Sequence, residues 1–394
     1  MNRRNFIKKG SLLTTGLVAS SSLLWGASKN YSANHTINIG VIGTGDRGSG
    51  LTPILNEIQN INVAACCDVL PFRLENGLSK VKNKAIGYKN YKQLLDNKDI
   101  DAVLIATPFS THSKIAIDAL DAGKHVYCEK TMAKGLKGIE ALIKKEATSK
   151  TIFQTGHQYH SSRLYTHVVD LIKKGEIGKV IAFDCQWNRN GNWRRPVPDP
   201  SIERAINWRM YREYSGGLTA ELSSHQIDFV SWVLCETPKT IMGVGGVNYW
   251  KDGRETYDNT HLIYTYPSGV KATFRCLTAN ALGDYQIIVH GDKGTIQLDY
   301  TKAWIYREKG YQKEYGDVDG VSGATINANL QGYATPIKVD HQDPSKQALI
   351  DFRDSILNNT PPISNIETGK NTAIAVQLSL DAMDNHKTVD WIDL

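Results

Sequence analysis

Apolar runs alternate with segments of helical periodicity through the first 156 residues of the chain. The runs are short and rich in β-branched residues, as in strands that are buried on both faces, and the segments between them repeat apolar residues at helical spacing. The predicted strands are 37–42, 61–67, 85–88, 101–106, 125–128 and 152–156. The predicted helices are 49–59, 71–82, 91–95, 111–122 and 136–149. This alternation predicts a doubly wound parallel sheet.

Beyond residue 156 the pattern changes to successive strands that short turns separate. The predicted strands are 179–187, 240–247, 259–266, 270–277, 285–290 and 295–300. The predicted helices are 218–234, 347–357 and 368–385, and the predicted loops are 188–206 and 309–343. We therefore expect an α/β protein with one domain at 35–157 and an open, mostly antiparallel sheet in a second domain at 158–394. We expect one face of that sheet to line a substrate site and the other to contact a second subunit. Whether the terminal helices pack back on the first domain stays open.

The composition is that of a soluble globular protein. Of its 394 residues, 41% are hydrophobic and 22% are charged. This length is sufficient for two or three domains. The net charge of +6 is mild and the basic residues are scattered, so nucleic-acid binding is not expected. The six cysteines show no CxxC spacing, which favours buried thiols over a disulfide framework.

The N-terminal segment has the features of an export signal. The sequence Arg3-Arg4-Asn5-Phe6-Ile7-Lys8 precedes a weakly apolar stretch, 12–25, that is too short and too polar for a membrane span. This pattern resembles a twin-arginine signal, a route that carries folded proteins. We expect residues 1–34 to be the signal and linker of a periplasmic protein without a membrane span once it is mature. A retained anchor and a chance basic N-terminus are the alternatives.

A glycine-rich turn follows the first predicted strand and opens the first predicted helix. It reads Gly43-Thr44-Gly45-Asp46-Arg47-Gly48, which fits the GxGxxG dinucleotide fingerprint. The first glycine permits the tight turn, the second allows close approach of a pyrophosphate, and the third lets helix and strand pack closely. The unpaired N–H groups of the helix N-terminus would then face the phosphates.

Asp68 follows the second predicted strand, about 20 residues beyond the glycines, where a carboxylate hydrogen-bonds the adenosine ribose. Because a carboxylate at this place repels a 2′-phosphate, we expect NAD rather than NADP. The alternative is that Asp68 only caps a turn.

Two further segments lie at the carboxyl ends of predicted strands, where ligands bind in such sheets. Thr107, Pro108 and His112 belong to the first, which opens a helix and can turn backbone amides towards a cofactor. Glu129 and Lys130 form the second. A lysine near the nicotinamide could stabilise developing alkoxide charge on a substrate, although a surface Glu-Lys pair is an equal alternative.

A polar helix start in the second domain offers acid–base groups. Glu221, His225 and Asp228 are spaced i, i+4 and i+7, so in an α-helix they share one face. An imidazole between two carboxylates would have a raised pKa and a fixed tautomer, as a proton shuttle needs. Metal ligation by Glu-x-x-x-His and a merely polar helix face are the alternatives; we expect no metal.

Aromatic and polar residues between these segments suit the apolar faces and hydroxyl rims of sugars. The cluster is Trp187, Asn188, Trp193, Arg194, Arg195, Asn207, Trp208, Arg209 and Tyr211. Ordinary loop packing is the alternative. The residues that we assign to substrate contact are Tyr159, Trp193, Trp208, Arg209 and His225.

Taken in order, these motifs resemble those of the Gfo/Idh/MocA oxidoreductase family. The family implies a Rossmann domain, an α/β domain with an open sheet, bound NAD(P) and hydride transfer at a carbinol carbon of a sugar or polyol. By matching position, the resemblance makes Lys130 the lysine of the family's Glu-Lys-Pro and His225 its acid/base histidine. Glu221 stands where an aspartate is common, and Gln158 lies near the usual nicotinamide-side amide. Thr131 replaces the proline, and His157-Gln158-Tyr159-His160 lacks a common Asn-Arg-Arg pattern.

Three functions remain open on this resemblance. The first is an exported NAD-dependent oxidoreductase that acts on a sugar or glycoside as a homodimer or homotetramer. The second is a glycosidase that oxidises a sugar, eliminates the aglycone, adds water and reduces again on a retained NAD, as in the α-N-acetylgalactosaminidase-like branch. The third is a non-catalytic sugar sensor.

Overall fold

The computed structural model describes residues 35–308, 310–311, 334–340 and 342–394. The predicted export signal and most of the predicted loop 309–343 lie outside these residues. Within the described part of the chain, no helix has the length and apolarity that crossing a bilayer requires. All six cysteines are unpaired and five of them are buried.

The first domain contains a six-stranded parallel sheet. Its strands are β1 (Ile37–Ile42), β2 (Ile61–Cys67), β3 (Ile86–Tyr88), β4 (Ala102–Ile105), β5 (His125–Cys128) and β6 (Phe153–Thr155). The strand order is β3-β2-β1-β4-β5-β6, which confirms the predicted doubly wound sheet and is the Rossmann order. The order reverses between β1 and β4, so a ligand crevice is expected at the carboxyl ends of these two strands.

Five helices cover this sheet close to the predicted positions. They are α1 (Asp46–Asn56), α2 (Pro71–Ser79), α3 (Tyr91–Asp96), α4 (His112–Asp121) and α5 (Leu136–Glu146). α1 begins three residues before its predicted start and includes Gly48 and Gly50, which are poor helix formers. α1 packs against β1 and β2, so tertiary contact overrides propensity there.

The second domain contains a nine-stranded sheet. Its strands are β7 (Val180–Asn188), β8 (Thr240–Gly246), β9 (Asn259–Thr265), β10 (Lys271–Leu277), β11 (Tyr285–Gly291), β12 (Gly294–Leu298), β13 (Ala303–Arg307), β14 (Thr335–Ile337) and β15 (Val389–Asp390). The order is β14-β13-β12-β11-β7-β10-β9-β8-β15. Among the strands that the structure describes, only β7 and β10 pair in parallel, so the sheet is mostly antiparallel as predicted. Strands β13 to β15 were not predicted.

The helices of the second half depart from prediction in three places, one of which is a short helix inside the predicted loop 188–206. They are α6 (Arg163–Lys173), α7 (Glu203–Ile206), α8 (Ser224–Leu234), α9 (Pro344–Asn358) and α10 (Ile366–Asp384). α6 was not predicted, although its buried residues Leu164, Val168 and Ile172 recur at helical spacing. The predicted helix 218–234 is a π-helical turn, Thr219–Ser223, followed by α8.

Burial alternates along the central strands of the large sheet. In β9 the side chains of Leu262 and Tyr264 are buried against the helices, whereas those of His261 and Ile263 are exposed. This period of two gives the sheet one packed inner face and one open outer face.

The two terminal helices complete different parts of the core. Phe352 of α9 is 1% exposed and packs edge-on against the Tyr127 ring of β5, with centroids 5.7 Å apart. α10 packs against α8, β8 and α5. The chain therefore returns to the first domain after the large sheet.

We predict that Phe352→Ala lowers the free energy of unfolding by about 3–5 kcal/mol, because it empties a buried aromatic site. Phe72→Ala is the matched control, since Phe72 is 44% exposed, and it should cost below about 1 kcal/mol. Urea denaturation measures both. Equal effects of the two changes would contradict the placement of α9 in the core of the first domain.

Candidate active site

The glycine turn has two glycines that the protein's own packing requires. Gly43 has φ +89°, and a Cβ there would lie 2.7 Å from the carbonyl carbon and oxygen of Ala106. A Cβ on Gly48 would lie 1.9 Å from the carbonyl oxygen of Gly43. Neither position can accept a side chain without moving backbone.

Gly45 is different, because its own backbone and neighbours would tolerate a side chain. Its φ is −67°, and the nearest atom to a methyl group added there would be Nη1 of the Arg73 side chain at 3.5 Å. The space beside Gly45 is therefore open at the N-terminus of α1. This is the place where a dinucleotide pyrophosphate needs close approach to the backbone.

Asp68 is buried at the end of β2 and is fixed to the glycine turn. Its Oδ2 accepts a hydrogen bond from the backbone N–H of Thr44 at 2.9 Å, and its Oδ1 accepts one from the backbone N–H of Leu70 at 2.9 Å. Oδ2 also lies 3.4 Å from the Thr44 hydroxyl. Because each carboxylate oxygen has two lone pairs, Oδ1 retains acceptor capacity. The predicted contact with ribose hydroxyls fits this arrangement.

Arg47 connects the glycine turn with the end of β5. Its Nε donates to Oε1 of Glu129 at 2.7 Å, and its Nη1 donates to Ser345 Oγ at 3.3 Å. Burial alone would lower the pKa of Arg47, but the attraction of Glu129 outweighs it and the pKa is raised. Nη2 is buried and has no partner within the described chain. Together with the open side of Gly45, this spare donor fits a bound NAD.

His112 holds two cofactor-side loops together. Its Nε2 lies 2.9 Å from the carbonyl oxygen of Thr107, and its Nδ1 lies 2.9 Å from that of Thr131. Pro108 precedes a single 3₁₀ turn that leads into α4. Both imidazole nitrogens are thus occupied by backbone, so His112 positions the loops after β4 and β5.

Lys130 reaches from the first domain to the second. Its Nζ donates to the carbonyl oxygens of Glu221 at 2.9 Å and Ala220 at 3.3 Å. The Lys130–Thr131 peptide bond is cis. Burial lowers the pKa of Lys130, while the nearby carboxylates Glu221 and Glu129 oppose that shift.

The structure separates the three residues that were predicted to share a helix face. Glu221 Oε2 accepts from Nε of Arg209 at 2.8 Å, whereas Asp228 Oδ2 lies 3.0 Å from Nε2 of His160. The π-helical turn is the physical reason, because its wider i→i+5 geometry rotates residues 219–223 relative to α8. His225 therefore does not sit between two carboxylates, and that prediction was wrong.

Both carboxylates stay ionised in spite of burial. Burial favours the protonated form of Glu221, but Arg209 and then Lys130 outweigh it and hold its pKa below the usual value. Burial also favours the protonated form of Asp228, but His160 and then His157 outweigh it, so the pKa of Asp228 is lowered too. Each buried negative charge thus has a cation or imidazole beside it.

His225 has a strongly lowered pKa, opposite to the raised pKa that was predicted. Burial is the main cause, and the positive charge of Lys130 and the ring of His157 add to it. His157 is likewise buried, and its pKa falls to about 4. Nδ1 of His225 has no hydrogen-bond partner among the residues described. At neutral pH the imidazole is therefore uncharged and can accept a proton.

Aromatic rings surround His225. The centroid distances are 5.0 Å to Tyr159, 5.7 Å to Trp187 and 6.2 Å to His157. Tyr285 and Tyr300 stack 4.5 Å apart and extend this wall beyond Trp187. The predicted substrate residue Tyr159 is thus placed beside His225.

The other predicted substrate residues lie around this wall. Trp208 is 8% exposed and its ring packs 4.3 Å from the guanidinium of Arg209, which it supports. Trp193 is half-buried and lies 5.7 Å from the guanidinium of Arg189. Gln158, predicted near the nicotinamide, has a buried Oε1 without a partner in the described chain.

Several residues of the cleft were missed or only partly recognised in the sequence. They are Arg189, His157, His160, Tyr285 and Tyr300. Arg189 could have been found from the sequence. It lies two residues after Trp187 at the end of an extended strand, so both side chains point to the same face of the sheet. In the described part of the chain, no three His, Cys, Asp or Glu side chains come together in a way that could hold a metal ion.

Comparison with known proteins agrees with this geometry. Residues 37–157 match the family model of the Gfo/Idh/MocA oxidoreductases with an NAD-binding Rossmann fold, and residues 165–297 match the Gfo/Idh/MocA C-terminal domain. The glycine turn, the strand order and the cross-domain site define an NAD-binding oxidoreductase. The chain belongs to the Gfo/Idh/MocA family.

Relatives in this family carry several activities in their names. The chain is 28% identical over 267 residues to 2,7-anhydro-N-acetylneuraminate hydratase of Escherichia coli, covering 67% of this chain and 68% of that protein. It is 29% identical to inositol 2-dehydrogenase of Salmonella typhimurium over 209 residues, 52% of this chain and 57% of that protein. A structure of levoglucosan dehydrogenase with NADH and levoglucosan shares the fold, with TM-score 0.73, 18% identity and coverage of 91% of this chain and 100% of that one.

We predict that Gly45→Ala abolishes or strongly weakens NAD binding while the protein stays folded. The added methyl fits the protein itself but occupies the space that the pyrophosphate needs, and its cost to the helix N-terminus is below about 1 kcal/mol. Equilibrium binding of NAD and thermal unfolding measure the two effects.

Gly50→Ala and Gly48→Ala are the matched controls. A methyl on Gly50 meets nothing within 4 Å, so NAD binding should persist, whereas Gly48→Ala should destabilise the fold because of its backbone clash. Normal NAD affinity in Gly45→Ala would contradict the placement of the pyrophosphate.

Proposed function

We propose that this protein oxidises a secondary alcohol of a sugar, polyol or glycoside by hydride transfer to NAD. The observation that carries the proposal is the meeting of Lys130 with the helix start that bears His225. An ammonium group and an uncharged imidazole lie at the carboxyl end of the Rossmann sheet, each contributed by a different domain.

The two groups have complementary roles towards a substrate hydroxyl. NAD, when bound, supplies the hydride acceptor. His225 takes the hydroxyl proton, since its lowered pKa keeps it neutral. Lys130 stabilises the negative charge that develops on the oxygen. Glu221 anchors Arg209 beside them, and the His160–Asp228 pair holds α8 against the segment with Tyr159.

The aromatic wall supports a carbohydrate as substrate. The rings of Tyr159 and Trp187 lie next to that of His225, and Tyr285 packs edge-on against Trp187. Aromatic rings of this kind pack against the C–H surfaces of sugars. The relatives named for inositol and levoglucosan point the same way. Asp68 supports NAD over NADP through its negative charge at the ribose position.

Location and assembly are proposed on separate grounds. The twin-arginine pattern supports export of the protein to the periplasm. The outer face of the large sheet supports a homodimer or homotetramer, because Met242, Val244 and Ile263 are 38%, 63% and 42% exposed on it.

A redox-neutral reaction is the second candidate. The relatives named as 2,7-anhydro-N-acetylneuraminate hydratase favour it, as does the collection of proton-handling groups around His225. In this version the sugar is oxidised, an aglycone is eliminated, water is added and the ring is reduced again. Release of aglycone from an aryl glycoside without net NADH distinguishes it from simple dehydrogenation.

We predict that Lys130→Met and His225→Ala each reduce turnover by roughly 100-fold or more, yet retain NAD. Turnover is measured by NADH absorbance and by aglycone release, and the bound nucleotide by mass spectrometry. Wild-type rates in both variants would contradict these roles. NAD and sugar binding by the wild-type protein without isotope exchange at any ring carbon would indicate a sensor.

The pH dependence of kcat/KM for oxidation should have two limbs. Activity falls as pH drops through the pKa of His225, which lies below 6.5, because the protonated ring cannot accept a proton. Activity falls as pH rises through the pKa of Lys130, which lies below 10.5, because the ammonium is lost. The residual activity of His225→Ala should lack the acid limb, and that of Lys130→Met the alkaline limb.

A further inference from the structure

Arg189 lies beside Trp187, one of the aromatic rings around His225. It follows the last residue of β7, and its guanidinium carbon lies 5.3 Å from the centroid of the Trp187 ring. The ring of His225 lies 5.7 Å from the same indole. Arg189 and the proposed base are therefore near one indole ring, within the reach of a single sugar unit and its substituents.

Arg189 differs from the other arginines around the cleft in its charge balance. Arg47 pairs with Glu129, Arg195 with Asp46, and Arg209 with Glu221. In each of these pairs a carboxylate oxygen lies within 3.0 Å of the guanidinium. Among the described residues, none places a carboxylate within ion-pair distance of Arg189.

The surroundings of Arg189 are aromatic. Its guanidinium lies 5.7 Å from the Trp193 ring, in addition to Trp187. Burial raises the pKa of Tyr159 and of Tyr300, and the positive charge of Arg189 opposes both shifts. A hydrogen bond from Arg189 to the Tyr300 hydroxyl opposes the shift of Tyr300 as well. The carboxylate on that side, Asp284, instead accepts from Tyr300 at 3.4 Å.

We propose that Arg189 binds an anionic oxygen group of the substrate, a carboxylate or a sulfate ester, so that the enzyme prefers acidic sugars. The inference rests on the proposed function, since it assumes that a sugar lies against His225. The planar guanidinium lies near two indole rings, and its N–H groups can form two parallel hydrogen bonds to such a group. An uncompensated charge in a half-buried aromatic site gains most from an ionic partner.

The test compares matched acidic and neutral sugars. The pairs are glucuronate with glucose, galacturonate with galactose, and glucose 6-sulfate with glucose. Wild-type protein, Arg189→Gln and Arg189→Lys are measured by NADH formation and, independently of turnover, by calorimetric sugar binding to the NADH-loaded protein. Arg275→Gln is the control variant, because Arg275 is exposed on the outer face of the same sheet.

We expect the wild-type protein to prefer the acidic member of at least one pair. Arg189→Gln should reduce the acidic-to-neutral ratio of kcat/KM, or of binding constants, by roughly 10- to 100-fold. The ratio for Arg189→Lys should fall between those of the wild type and Arg189→Gln, because lysine keeps the positive charge but not the paired N–H donors of the guanidinium. Arg275→Gln should keep the wild-type ratio. Preference for the carboxylates or for the sulfate identifies the group.

An unchanged ratio in Arg189→Gln, or a wild-type preference for neutral sugars, overturns the inference and leaves the proposed function intact. Failure to bind or oxidise either member of every pair overturns both.

Discussion

The ammonium group of Lys130 is the contact on which the site depends. It leaves the end of β5 in the first domain and donates to two backbone carbonyls, of Ala220 and Glu221, in the second. These carbonyls belong to the π-helical turn that precedes α8. The lysine thus fixes the distance between the nucleotide-binding sheet and the helix that carries His225, and it brings its own charge to the reaction site.

Burial decides the charge state of nearly every group near this contact. A buried carboxylate would take up a proton unless a cation compensated it, and here Arg209 keeps Glu221 ionised while His160 keeps Asp228 ionised. Because Glu221 pairs with Arg209 and Asp228 with His160, neither carboxylate stabilises a protonated His225, whose pKa is lowered. The helix therefore presents a neutral imidazole beside an ammonium, which is the pair that removal of a proton from a hydroxyl requires.

The Rossmann domain could be predicted from sequence almost completely, because its signals are local. Buried strands are continuous apolar runs, and Gly43, Gly48 and Asp68 stand at the places where backbone geometry demands them. The same holds for most of the large sheet, whose strands alternate with short turns. The helix α6 was overlooked although its pattern is regular, and strands β13 to β15 are short edge pairings that depend on distant partners.

The pairing of charges at the site could not be predicted, because it depends on a break in helix geometry. Glu221, His225 and Asp228 have ideal α-helical spacing, and no local sequence pattern predicts the π-helical turn that contains Glu221. The partners Arg209 and His160 lie 12 and 68 residues away from the carboxylates they contact. The predicted interactions among these three residues were therefore wrong, while their roles stay predictions.

A crystal structure of the protein with NAD and a bound sugar tests the central claim most directly. The quantity to measure is the distance from the carbinol oxygen of the sugar to Nζ of Lys130 and to the imidazole of His225. The account predicts that both are within hydrogen-bond reach, about 2.6–3.2 Å, while the carbinol carbon faces the nicotinamide at about 3–3.5 Å. A nicotinamide directed away from both side chains, or a sugar bound with neither group in reach, would contradict it.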